Sequence, residues 1–181
     1  MRIVGGSLKG RRFSVPNNFP SRPTTDFAKE GLFNVLGHQF DLSNLTVLDL
    51  CSGTGNISLE FLSRGVKNVV SVDSNTNCLR FIQKNAESLG VSGRIITVKS
   101  DIINFIKQSS DKFDVIFADP PFAFSDYHTL IKSIFEKGLI NNNGIFILEH
   151  GKQKSFREEL NFSFDRNYGN VTFSFFKLKE L

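Results

Sequence analysis

Residues 45–56 have the sequence LTVLDLCSGTGN, in which an apolar run is followed by a loop with two glycines. The apolar run, residues 45–50, has the length and composition of a buried strand, and the pattern of residues 56–64 predicts a helix directly after the loop. Gly53 and Gly55 carry no Cβ, so a ligand can approach the loop backbone closely. A strand, a glycine loop and a helix in this order are typical of an α/β sheet with a ligand at its edge.

Apolar strands and amphipathic helices continue to alternate along the chain. We predict strands at 68–73, 94–98, 113–118 and 144–149, and helices at 75–89, 102–109 and 126–138. This alternation predicts a parallel α/β sheet. Further predicted elements are a helix at 152–159 and a closing antiparallel hairpin formed by residues 161–166 and 171–178.

The N-terminal region differs from the rest of the chain in charge. Residues 1–30 contain six of the 22 basic residues but only two of the 18 acidic ones, so the whole excess positive charge lies there. Residues 2–16 predict a small basic β-hairpin, and a helix is predicted from Thr24 or Thr25 to about Phe40. We expect the basic end to bind a polyanion; the alternative is an ordinary solvated terminus.

The composition also limits the class of protein. We predict one domain at 21–181 with a hairpin extension at 1–20, no membrane span and no secretory signal, hence a cytoplasmic protein. Cys51 and Cys78 lack the spacing of metal ligands, so neither a metal site nor a disulfide is expected.

Three acidic residues end or follow three successive predicted strands: Asp49, Asp73 and Asp101. Because the carboxyl ends of parallel strands meet at one edge, we expect these carboxylates to line one crevice. Asp73 is placed to accept the hydroxyls of a ribose, and Asp101 either meets an adenine amine beside Ile102 or caps the following helix. An adenosine ligand explains all three. Ser58 stands where a dinucleotide fingerprint has Gly or Ala, which disfavours NAD.

The tetrapeptide Asp119-Pro120-Pro121-Phe122 follows the fourth predicted strand directly. Two successive prolines fix the backbone, so the Asp119 carboxylate and the Pro120 carbonyl are held in place. Two such acceptors can bind the two protons of an amine on an aromatic base and aim its lone pair at a methyl donor. Asp119 would then act as general base, with Phe122 stacked on the flipped base. The alternative is a rigid turn with Phe122 in the core.

These segments resemble the class I methyltransferases that methylate amines. The N-terminal motifs resemble, more narrowly, the bacterial 16S ribosomal RNA guanine-N2 methyltransferases, the D member of the small-subunit methylases. The motifs are Arg2-Ile3-Val4-Gly5-Gly6, Lys9-Gly10-Arg11-Arg12, Arg22-Pro23-Thr24-Thr25-Asp26 and Glu30-Gly31-Leu32-Phe33-Asn34. The resemblance covers essentially the whole chain.

The resemblance implies a Rossmann-like, doubly wound sheet of seven strands, mostly parallel with the last strand antiparallel. It implies S-adenosylmethionine as methyl donor and the N2 amine of a guanine in the 16S RNA of the small ribosomal subunit as acceptor, and we expect a monomer. The implied catalytic residues are Asp119, Pro120 and Phe122. The implied cofactor-binding residues are Arg22, Thr24, Asp49, Ser52, Gly53, Gly55, Asp73, Ser74, Asp101 and Ile102. The implied RNA-binding residues are Arg2, Lys9, Arg11 and Arg12.

The chain departs from this family at two positions. The family usually has Arg directly after the Thr-Thr-Asp run and again two residues later, where Phe27 and Lys29 stand here. Three alternatives stay open: an amino-methyltransferase that acts on adenine N6 or on a protein glutamine, an NAD-dependent dehydrogenase, and an RNA-binding module without enzymatic activity.

Overall fold

The computed structural model describes residues 1–16, 19 and 24–179, and a seven-stranded sheet runs through its centre. The strands are β1 (Thr46–Leu50), β2 (Asn68–Asp73), β3 (Ile95–Lys99), β4 (Phe113–Ala118), β5 (Ile140–Gly151), β6 (Phe162–Tyr168) and β7 (Val171–Phe176). The helices are α1 (Asp26–Gln39), α2 (Asn56–Ser63), α3 (Thr76–Ser88), α4 (Ile102–Gln108) and α5 (Tyr127–Glu136).

The sheet has the strand order β3-β2-β1-β4-β5-β7-β6. Strands β1 to β5 pair in parallel, and β7 pairs antiparallel with both β5 and β6. Six strands therefore share one direction and β7 opposes them. This arrangement confirms the doubly wound, Rossmann-like sheet and its antiparallel last strand.

The sheet is covered by helices on both faces, which explains why its central strands are apolar at successive positions. Side chains from alternate positions of the strands pack with α1, α2 and α3 on one face and with α4 and α5 on the other. Along β1, for example, Val47 faces the first layer and Leu48 faces the second. Among the described helices none is long and apolar enough to cross a membrane.

The predicted N-terminal hairpin is not confirmed. Segment 1–13 contains a single antiparallel bridge, between Arg2 and Arg12, and no extended strand. The backbone amides of Val4 and Gly5 donate instead to the buried carboxylate of Glu60 in α2, at 2.9 and 2.8 Å. On either side of the bridge the amides of Ile3 and Phe13 donate to the carbonyls of Arg11 and Met1, so pairing is confined to the ends of the segment, while its middle packs along α2. The division of the chain into 1–20 and 21–181 stays a prediction.

The helix predicted at 152–159 is wrong. Strand β5 continues to Gly151, and the amide of Lys152 donates to the carbonyl of Asn170 at the turn of the β6–β7 hairpin. The amide of Glu159 donates to Phe156, which is a turn contact and not a helical one. The segment is polar apart from Phe156 and Leu160, so it has little apolar surface to stabilise a helix.

Candidate active site

A cavity of about 660 Å³ opens at the carboxyl ends of the parallel strands. This is the edge at which open α/β sheets bind their ligands, and the volume is that of a small-molecule site. The predicted site residues that line it are Thr24, Asp49, Ser52, Gly53, Asp73, Ser74, Asp101, Ile102, Asp119, Pro120 and Phe122. Gly55 is not among the lining residues, and Arg22 lies outside the described residues.

The loop after β1 is held by the carboxylate at the end of β2. Asp73 accepts hydrogen bonds from the backbone amides of Gly53 and Asn75, both at 2.8 Å. Asp73 therefore shapes the loop as well as facing the cavity. Gly53 has a φ of +51°, a backbone conformation that favours glycine.

Gly55 is required for a different reason than ligand approach. Its φ is +72°, and a Cβ at this position would lie 2.6 Å from Cγ1 of Ile82 in α3. The residue thus allows α3 to pack closely against the start of α2. Its predicted contact with the cofactor stays a prediction.

Asp101 caps α4, as one of its two sequence interpretations predicted. Its carboxylate accepts from the backbone amide of Asn104 at 2.9 Å, and these hydrogen bonds lower its pKa although the side chain is exposed. Asp101 also lines the cavity. The contact with adenine remains a prediction for the same side chain.

Three carboxyl groups come together at the ends of neighbouring strands: Asp49 of β1, Asp119 after β4 and Glu149 of β5. Ala118 is in register with both Leu50 and Leu148, and each of the three acidic residues is adjacent in sequence to one of these positions. Burial raises the pKa of Asp49 to about 7, against a hydrogen bond from Ser58 that lowers it. Burial also raises the pKa of Asp119 to about 7.

Glu149 was missed by the sequence reasoning. It is buried, accepts a hydrogen bond from the Thr24 hydroxyl at 2.8 Å, and connects the start of α1 to the end of β5. Burial and the nearby Asp119 raise the pKa of Glu149 well above its ordinary value. The signal was available, because Glu149 ends a predicted strand just as Asp49 and Asp73 do.

Asp49 and Asp119, which line the cavity, give it its electrostatic character. Within the described parts of the chain, no Lys, Arg or His side chain forms an ion pair with Asp49, Asp119 or Glu149. An unpaired carboxylate in a poorly solvated position favours a cation nearby. The cavity is therefore suited to a positively charged ligand.

The tetrapeptide forms the rim of the cavity. Pro120 is buried, the amide of Phe124 donates to the carbonyl of Pro121 at 2.8 Å, and the resulting turn projects Phe122 outward. Phe122 is 92% exposed, which excludes the alternative that it is a core residue. An exposed ring beside a carboxylate in the cavity wall is a suitable surface for a planar base.

The predicted RNA-binding residues differ in their availability. Lys9, Arg11 and Arg12 are exposed, whereas Arg2 is half-buried and forms an ion pair with Asp26 at 2.7 Å. Lys29, which contributed to the basic charge of the N-terminal region, is fully buried and pairs with Glu60 at 3.2 Å. Within the N-terminal region, the exposed positive charge is thus concentrated in segment 9–12.

Known proteins resemble this chain in sequence and in fold. A relative from Haemophilus influenzae, named ribosomal RNA small subunit methyltransferase D, is 32% identical over 157 residues, which are 85% of this chain and 80% of the relative. The structure of a hypothetical protein from Thermus thermophilus superposes with a TM-score of 0.84 at 25% identity, covering 98% of this chain and 99% of that one. A ribosomal protein L11 methylase from Lactobacillus delbrueckii shares the fold, with a TM-score of 0.68 at 19% identity over 87% of this chain and 81% of that one.

Fold and site together define a class I methyltransferase. The sheet has the strand order β3-β2-β1-β4-β5-β7-β6. The glycine loop after β1 and the acidic tetrapeptide after β4 line one cavity at its edge. The chain belongs to the family described as conserved hypothetical protein 95, which matches residues 1–177.

Proposed function

We propose that this enzyme transfers a methyl group from S-adenosylmethionine to the exocyclic N2 amine of a guanine in 16S ribosomal RNA. The observation that carries the proposal is the position of Asp119: a carboxyl group at the cavity wall, next to an exposed Phe122, in a chain related to a named small-subunit RNA methyltransferase. The proposal implies the small ribosomal subunit as partner and the cytoplasm as location.

The residues present suit the proposed cofactor. S-adenosylmethionine, when bound, supplies an electrophilic methyl group on a positively charged sulfur. The carboxyls of Asp49 and Asp119 favour such a charge because no described cation pairs with them. Asp73 is placed to accept the ribose hydroxyls with the lone pairs that the loop amides leave open.

Asp119 and Pro120 would hold the accepting amine. The nitrogen of an exocyclic amine is a poor nucleophile because its lone pair is delocalised into the ring. Acceptance of its two protons by the Asp119 carboxylate and the Pro120 carbonyl favours a pyramidal nitrogen and orients its lone pair. As the new N–C bond forms and the methyl–sulfur bond breaks, with its electron pair left on the sulfur, the nitrogen would lose one proton, which Asp119 would accept. A pKa near 7 suits this general-base role at neutral pH.

Phe122 would hold the target base against the rim. A base must leave its stack to reach a carboxylate in the cavity wall, and an exposed aromatic ring compensates for part of the lost stacking. Phe122 has no hydroxyl, so the polar contacts of the base fall to Asp119 and the Pro120 carbonyl.

Methyl transfer from labelled S-adenosylmethionine tests the proposal. Unmethylated small ribosomal subunits and their extracted RNA should accept label. Asp119→Ala should abolish this transfer, while the variant should still bind the cofactor, which calorimetry measures. Asp126→Ala is the matched control, because Asp126 is exposed, lies seven residues away and is not among the lining residues of the cavity. Label found only in DNA or protein would contradict the proposal. Label in adenine would favour the adenine N6 alternative.

A further inference from the structure

Phe27 is a large apolar side chain that the fold leaves in solvent. It lies in the first turn of α1 and is 67% exposed. Its ring contacts Tyr168 of β6 edge to face, with ring centroids 5.7 Å apart and an interplanar angle of 78°. The Phe27 ring is therefore open to solvent, and the Tyr168 ring contacts it edge to face.

The aromatic pair is held rigidly. Tyr168 lies against Gly31, one helical turn after Phe27, where a Cβ would clash with the Tyr168 ring. Tyr168 also packs against the buried ring of Phe173, with centroids 5.8 Å apart. These contacts fix the position of Tyr168, and its edge-to-face contact restrains the Phe27 ring. Binding of a partner therefore costs Phe27 less side-chain entropy.

Basic groups flank the aromatic pair on two sides. Asp26, adjacent to Phe27, is neutralised by Arg2, whose backbone pairs with that of the exposed Arg12 in an antiparallel β-bridge. On the other side, Arg166 is exposed and lies two residues before Tyr168, on the same face of edge strand β6. The pair thus lies between two sources of positive charge, as a surface for a polyanion with exposed bases requires.

The pair is also near the cavity along the chain. Thr24, which lines the cavity and donates to Glu149, precedes Phe27 by three residues. Three residues span at most about 11 Å, so Phe27 lies within reach of a nucleic-acid strand that enters the cavity.

We propose that Phe27, held by Tyr168, stacks on an unpaired base of the RNA substrate that flanks the base to be methylated. This inference rests on the proposed function, since it requires an RNA substrate. Every base has a π-face, so the stack supplies affinity with little sequence preference. Phosphates on either side would meet Arg12 and Arg166.

Tryptophan fluorescence tests the stack directly, because the chain contains no tryptophan. Phe27→Trp introduces a single reporter, and Ile96→Trp is the matched control, since Ile96 is 62% exposed on β3 at the opposite edge of the sheet. Both variants are titrated with unmethylated 16S RNA, as a transcript and within small ribosomal subunits. We expect quenching of the tryptophan introduced at position 27 and none at position 96.

Binding constants provide the second measurement. Phe27→Leu keeps an apolar side chain but removes the ring, so the Kd for RNA should rise about fivefold to a hundredfold, the range for one lost base stack. The salt dependence of binding should stay unchanged, whereas Arg12→Gln should reduce it. Wild-type affinity of Phe27→Leu, or unquenched fluorescence of Phe27→Trp, would overturn the inference while the proposed function stands. Failure of the wild-type enzyme to bind either RNA form would overturn both.

Discussion

Asp49 and Asp119 make the charge of the cavity depend on pH. Burial raises the pKa of each to about 7, so both carboxyls become ionised as the pH rises through neutrality. We predict that the affinity for S-adenosylmethionine rises about tenfold between pH 6 and pH 8, the change in the ionised fraction of one group with a pKa near 7. Calorimetric titration at several pH values measures this.

The uncharged sulfur of S-adenosylhomocysteine provides the control for that measurement. Its affinity should change less with pH because the carboxyls no longer face a positive sulfur. An equal pH dependence for both ligands would show that the carboxyls do not act on the sulfur charge.

The enzyme should tolerate replacement of the Glu149 carboxyl group by an amide but not removal of the whole side chain. Burial and Asp119 raise its pKa and favour the neutral acid, which glutamine imitates. We predict that Glu149→Gln keeps cofactor binding and most activity. Glu149→Ala leaves the Thr24 hydroxyl without its acceptor and should lower stability by about 1–3 kcal/mol. Thermal denaturation and initial rates measure both effects. An inactive Glu149→Gln variant would indicate that the ionised form is required.

The residues around the cavity were largely predictable because strand ends are visible in the sequence. An apolar run followed by Asp-Pro-Pro or by a glycine loop marks such an end without knowledge of the fold. Glu149 also ends a predicted strand, but no glycine loop or proline motif follows it. The role of Gly55 was not predictable, since its neighbour Ile82 is 27 positions away and the contact exists only after folding.

At the scale of elements, α2 is fixed between the sheet and the N-terminal segment. All of its residues are buried, including Glu60, which accepts from the amides of Val4 and Gly5 and from Arg64. Lys29 of α1 donates to Glu60, to Asn56 and to the carbonyl of Arg2. This buried pair therefore connects α1, α2 and the N-terminal segment.

Removal of one partner of that pair should be costly. Lys29→Met removes the buried cation and leaves Glu60 paired with the partly exposed Arg64, and we predict a loss of about 3 kcal/mol in the free energy of unfolding. Urea denaturation measures the loss, and hydrogen exchange should show faster opening of the Val4 and Gly5 amides. Arg2→Ala is the control: it breaks an exposed pair with Asp26 and should cost at most about 1 kcal/mol. Similar losses in both variants would contradict the role of the buried pair.

Element prediction from sequence succeeded where periodicity decides and failed where distant contacts decide. The strands of the parallel sheet are short apolar runs between turn residues, a pattern that is typical of buried strands. The N-terminal hairpin is not confirmed: pairing is confined to a few residues, and Glu60, more than fifty residues away, holds the amides of Val4 and Gly5. The helix at 152–159 was wrong because β5 and the β6–β7 turn hold its first residues.

At the scale of the whole molecule, the fold decides how much of the basic charge of the N-terminal region is accessible. Counting charges along the sequence predicted a basic end, but it included Lys29, whose burial depends on the fold. Lys9, Arg11 and Arg12 stay exposed. Truncation of this end would also uncover α2, so substitution is the sharper way to test its role in RNA binding.

Replacing Lys9, Arg11 and Arg12 together by Gln should weaken RNA binding and its dependence on salt. For three lost phosphate contacts, the slope of log K against log salt should fall by roughly 2–3. A control variant with Gln at Lys107, Lys132 and Lys137 removes the same charge from α4 and from the middle and end of α5, on the other face of the sheet. Equal effects in both variants would show that only net charge matters.

Methylation of guanine N2 in 16S RNA leaves a product that can be mapped directly. The most direct test is a mass-spectrometric map of modified nucleotides in 16S RNA from cells that lack the gene, from complemented cells and from cells that carry Asp119→Ala. We predict one N2-methylguanosine that disappears without the gene, returns with the wild-type enzyme and stays absent with the variant. An unchanged N2-methylguanosine content in all three would contradict the account.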